Sequence, residues 1–70
     1  MTLSEYRAKH DLTLEAFGKL VGKSKGHIHA IEQSNCATAK LALEIERVTD
    51  GEVSAAFLNS SIAEARKAAA

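Results

Sequence analysis

Residues 14–33 read LEAFGKLVGKSKGHIHAIEQ, and this stretch decides the fold. Its apolar residues recur at helical spacing. Phe17, Leu20 and Val21 fall at i, i+3 and i+4, and Ile28 and Ile31 lie three apart. Between the two segments stands Gly22-Lys23-Ser24. Glycine suits the end of a helix because a left-handed backbone costs it little, and serine is a preferred N-cap for the next one. Gly18 falls where the two segments must approach each other, and only a small side chain allows close approach.

Two helices across a three- to four-residue turn containing glycine predict a helix-turn-helix, a unit whose second helix enters the DNA major groove. The flanks fit this reading. Leu3 to His10 reads as a short first helix with Thr2 or Ser4 as its cap, broken at Asp11-Leu12. Thr13 caps the second helix, which runs to about Val21. Ser24 caps a third that reaches Gln33, with Ser34-Asn35 as its stop. Thr38 caps a fourth helix to about Thr49, with Leu41, Ile45 and Val48 facing the core and Asp50-Gly51 ending it. Ser54 opens a short fifth helix with Phe57 and Leu58. The series Ser61-Ile62-Ala63-Glu64 fits an S-x-x-E capping box. The expected fold is an all-α, compact bundle of about five short helices. Residues 1–59 form the domain, and 60–70 an alanine-rich tail, helical or frayed.

Size and composition agree with helices. Seventy residues make one domain with a marginal core. The apolar share is 46%, but 13 of those residues are alanine, so packing falls to Tyr6, Phe17, Phe57 and the Leu, Ile and Val set. Proline is absent, and no β-branched alternation suggests a sheet. Net charge is zero, which removes any simple basic-protein argument for nucleic acid. The distribution says more. Residues 1–31 hold five bases and three acids, residues 32–70 four bases and six acids. From Ala16 to Ile31 there are three lysines, two histidines and no acid, and local sign governs the approach of a polyanion.

The motif resembles the phage-repressor and Cro-like helix-turn-helix (the lambda-repressor-like fold) through Gly18, Gly22, Ile28 and Ile31. Arg7 and Glu32 stand at the spacing of that family's arginine–glutamate pair, which implies a partly buried structural ion pair. Leu3-Ser4-Glu5-Tyr6, Gly26-His27-Ile28, Ala42-Leu43, Ile45-Glu46-Arg47, Thr49, Gly51 and Val53 look like the YdaS/Cro-type small phage regulators. The resemblance covers roughly residues 3–58. Two positions depart from it. Leu14 stands where a phosphate-bracing glutamine is usual, and Lys23 where an apolar residue usually follows the turn glycine.

The register places Lys25, Gly26, His27, His29 and Ala30 on the early second helix of the motif, with Gln33 farther along. These are the expected base contacts. Lys25 suits guanine O6 or N7, and Ala30 a thymine methyl. Thr13, Lys19, Lys23 and Ser24 are expected phosphate contacts, through side chains or the amides that follow a cap. The resemblance adds Asn35, Thr38 and Lys40, holding the backbone on the other side. It also implies a duplex DNA operator, commonly palindromic, and hence a homodimer. Phe57, Leu58 and Ile62 are the apolar candidates for its surface.

Other chemistries fit poorly. Gly18 to Ser24 has three residues between its glycines where a P-loop needs four, and no strand precedes it. His27 and His29 lie about 200° apart around a helix, and lone Cys36 completes no zinc set. Glu44 and Glu46 fall on different faces. No enzyme activity, cofactor or small-molecule ligand is expected. Residues 1–20 lack a secretory h-region, no apolar run reaches membrane-spanning length, and one cysteine forms no internal disulfide. A reducing cytoplasm, that of a bacterial host, is the expected compartment. A second class stays open. A helix-turn-helix with an acidic back half also suits a protein-interaction module, antirepressor or antitoxin-like, that needs no DNA.

Overall fold

The computed structural model describes residues 1–69 and is all-helical; no strand occurs among them. Six helices follow in order: α1 Leu3–Lys9, α2 Leu14–Val21, α3 Lys25–Ser34, α4 Ala39–Val48, α5 Ala55–Leu58 and α6 Ser60–Ala69. Each of the first five begins at a hydroxyl cap. Thr2, Thr13, Ser24, Thr38 and Ser54 each accept a hydrogen bond from a backbone N–H in the first turn of the helix that follows. Thr2, rather than Ser4, starts α1, and Glu5 reaches back to the Thr2 amide to close a capping box.

Left-handed residues stop two of the helices and turn the chain just past two others. Gly22 ends α2 at φ 71° and Asn35 ends α3 at φ 52°, while Asp11 and Asp50 turn the chain at φ 53° and 54°. Aspartate and asparagine tolerate this region better than other side chains. These tight turns let α1–α2, α2–α3 and α3–α4 follow one another with three or four connecting residues.

The core gathers Leu3 and Tyr6 of α1, Phe17 of α2, Ile28 and Ile31 of α3, Leu41, Ala42 and Ile45 of α4, then Val53, Ala55 and Leu58. Tyr6 meets Phe17 edge to face, with ring centroids 6.0 Å apart. Thr49 is the buried polar residue. Its hydroxyl donates to the Ile45 carbonyl at 2.8 Å and accepts from the Val53 amide at 3.2 Å, which folds the α4–α5 loop inward. Ala37 donates its amide to the Leu58 carbonyl at 2.8 Å, and Asn59 donates its side-chain amide to the Ala37 carbonyl at 2.9 Å. The α3–α4 loop is thereby fastened to the α5–α6 junction.

Several expectations change. Leu20 is half exposed, because the inward face of α2 is Leu14, Phe17, Gly18 and Val21, and Leu20 lies more than a quarter turn from it. Phe57 is half exposed as well; one turn of helix turns Ala55 and Leu58 inward and Phe57 out. Leu58 is buried in the chain's own core and offers nothing to a partner. Ser61 caps no helix. Asn59 does so instead, its side-chain oxygen accepting from Ile62 N at 3.2 Å, so a sixth helix starts at Ser60. This helix is attached: Ile62 packs on the core, and Arg66 makes a two-bond ion pair with Glu46 of α4 at 2.8 and 2.9 Å. Ala70 lies outside the described residues.

Candidate nucleic-acid interface

Two packing devices fix α3, one against α2 and one against α1 and the α1–α2 loop. The first is Gly18. A Cβ there would collide with the Lys23 carbonyl oxygen, and the Gly18 carbonyl accepts the Lys23 amide at 2.8 Å. The turn therefore lies directly on α2. The second is Arg7. Its guanidinium donates to both carboxylate oxygens of Glu32, with Nη2 at 3.0 Å from Oε1, and also to the Leu12 carbonyl at 3.0 Å. The side chains are 20% and 9% exposed. One half-buried arginine thus joins α1, the α1–α2 loop and the second half of α3. The ion pair that the family resemblance implies between Arg7 and Glu32 is formed.

With Ile28 and Ile31 buried, α3 turns the opposite side outward. At about 100° per residue, Gly26, His29, Ala30 and Gln33 lie on that side, with Lys25 on one flank and His27 on the other. All six are exposed, as are Thr13, Lys19, Lys23, Ser24, Asn35, Thr38 and Lys40. The family resemblance implies that Thr38 and Lys40 hold a bound backbone on the other side from Lys23. In the structure these three line one open cleft of about 260 Å³ with Val21, Gly22, Leu41 and Glu44. The hydroxyls of Thr13, Ser24 and Thr38 are occupied as caps by the amides of Ala16, His27 and Leu41. Asn35 acts through its backbone as the left-handed stop of α3. Leu14 packs partly buried against the core, which is where its departure from a polar residue leads.

Charge pairing explains how a chain of zero net charge keeps a basic face. Six carboxylates are engaged: Glu5 in its cap, Glu15 with Lys19 at 3.9 Å, Glu32 with Arg7, Glu44 with Arg47, Glu46 with Arg66, and Glu52 with Lys9 and His10. Among the described residues, Lys23, Lys25 and Lys40 have no acidic partner. They sit at the turn and at the starts of α3 and α4. Neither helix has an acid in its first turn, so the positive ends of both dipoles stand uncompensated beside lysines. One further contact, whose i, i+4 spacing is its only trace in the sequence, joins two side chains of α3. The Gln33 side-chain nitrogen lies 3.3 Å from His29 Nε2 on the outward face.

Among the described residues, no group of three His, Cys, Asp or Glu is placed to hold a metal ion, and no helix is long and apolar enough to cross a membrane. Cys36 is exposed in the α3–α4 loop. No family model, curated protein or solved structure matches this chain.

Proposed function

We propose that the chain is a sequence-specific duplex DNA-binding regulator of the phage Cro or repressor kind, with α2 and α3 as its helix-turn-helix. The observation that carries this reading is the outward face of α3. It is exposed, free of unpaired acid and bordered by Lys23 and Lys25, with Lys40 in the same cleft as Lys23, and these three lysines lack acidic partners among the described residues. Lys25, Gly26, His27, His29, Ala30 and Gln33 face base edges, and an α-helix fits the major groove they would enter. Lys23 and Lys40, with the amides at the starts of α2 and α4, take phosphates, and Lys19 joins them by releasing its long, exposed contact to Glu15. Binding as a homodimer matches the two-fold symmetry of a palindromic operator. Phe57, half exposed, with partly buried Ile62, supplies the apolar surface for it now that Leu58 is assigned to the core. The place of action is the cytoplasm of a bacterial host, and neither cofactor nor catalysis is involved.

Selection of bound duplexes from a randomised pool tests this. The expected product is a pair of short half-sites about 10 base pairs apart, centre to centre. Failure to enrich any duplex, even at low salt, would sink the DNA reading and favour a protein partner for the same face.

A further inference from the structure

The contact between Gln33 and His29 carries information about which base the helix reads. The two side chains are one helical turn apart and exposed on the outward side of α3. A nitrogen-to-nitrogen contact at 3.3 Å is a hydrogen bond only if the Gln33 amide donates and His29 Nε2 accepts. His29 then carries its proton on Nδ1. A primary amide has two N–H bonds, one on the side of its carbonyl oxygen and one pointing away. With one N–H given to His29, the carbonyl oxygen and the other N–H remain, and where that N–H is the one beside the oxygen the two form a donor–acceptor fork. That fork matches adenine, whose N6 amino group donates and whose N7 accepts. With the proton on Nδ1, the reversed amide would set its oxygen against the Nε2 lone pair, and the fork would no longer be held.

We infer that His29 is a positioning residue for Gln33, fixing its amide so that Gln33 selects adenine at one major-groove position per half-site. The inference rests on the proposed DNA reading and deepens it. Lys25 occupies the preceding turn of the same row, and Glu32, beside Gln33, is committed to Arg7, so no free carboxylate on α3 competes for the amide.

Two measurements test it, and they fail separately. In the free protein, long-range nitrogen–proton correlation spectra of neutral His29 should report the Nδ1–H tautomer. The Gln33→Ala variant should abolish that preference. A dominant Nε2–H tautomer would overturn the positioning role whatever the protein binds. The second measurement is duplex selection with wild type, Gln33→Ala, His29→Ala, His29→Phe and the double alanine variant. Gln33→Ala should lower the preference for adenine over guanine at one position by about tenfold, as a lost bidentate base contact implies. His29→Ala and His29→Phe should lower it severalfold at that same position, and the double variant should match Gln33→Ala. Histidine variants that keep the full adenine preference, or alter only a different position, overturn the inference while leaving DNA binding intact. A wild type that enriches no duplex removes the DNA reading and the adenine assignment together.

Discussion

Replacing Glu32 with glutamine should destabilise the chain strongly, because the arginine it pairs with has nowhere else to go. Arg7 is held between helices with a side chain only 20% exposed, and Glu32 is 9% exposed. Glutamine keeps the shape of glutamate and one acceptor oxygen but removes the charge that offsets the guanidinium. An exposed pair would contribute about 0–1 kcal/mol, and leaving a charge unpaired in a fully buried site costs about 3–5 kcal/mol. Arg7 retains its bond to the Leu12 carbonyl and some solvent, so the site lies between these limits, at about 2–3 kcal/mol. For a domain of this size each kcal/mol moves the melting temperature by roughly 4–8 °C, so a fall of about 10–20 °C is expected. Urea and thermal unfolding followed by circular dichroism will measure it. The cycle through Arg7→Met and the double variant isolates the coupling, and the double variant should be more stable than Glu32→Gln alone. An unchanged melting temperature in Glu32→Gln would refute the structural role of the pair.

Other substitutions follow from the same geometry. Gly18→Ala should destabilise by about 1–2 kcal/mol, since overpacking against the Lys23 carbonyl outweighs the helix-propensity gain of about 1 kcal/mol. Gly26→Ala should stabilise by about 0.5–1 kcal/mol, because its Cβ meets nothing nearer than the Ser24 hydroxyl at 4.0 Å; reversed signs in urea unfolding would contradict both. The bidentate Arg66 guanidinium, and then the Ala55 amide, hold the Glu46 carboxyl at about 2 against an ordinary value of 4.5. A depressed carboxylate contributes its full stability above the unfolded value and loses it as protons bind the native state. Wild type should therefore lose stability relative to Glu46→Gln between pH 4.5 and about 2, and parallel curves would rule this out. Lys25→Ala should lower specific affinity by about 1–3 kcal/mol in gel-shift titration, whereas Lys23→Ala should weaken all duplexes alike and flatten the salt slope by about one. The opposite pattern would exchange their roles.

The helical order of the chain was legible because its signals are local. Threonine and serine caps, Gly22 at the turn, and the Ile28–Ile31 spacing act within a few residues. Arg7–Glu32 was legible only through resemblance, since nothing local links residues 25 apart. The misreadings share a cause. Leu20 and Phe57 were counted as packing residues on hydrophobicity, but which side of a short helix faces inward is set by neighbours distant in sequence. The Ser61 box was a plausible motif displaced by Asn59, whose side chain both caps α6 and reaches the Ala37 carbonyl. Sequence also could not bring Lys23 to Thr38 and Lys40, because their meeting depends on how α2 packs on α4.

The most direct test of the central claim is the salt dependence of binding to a fluorescent duplex, measured by anisotropy. With Lys23, Lys25 and Lys40 on the face, the logarithm of the association constant should fall with the logarithm of salt concentration at a slope of about −2 to −3 per protomer. No binding at low salt, or binding indifferent to salt, would contradict the assignment of this face to DNA.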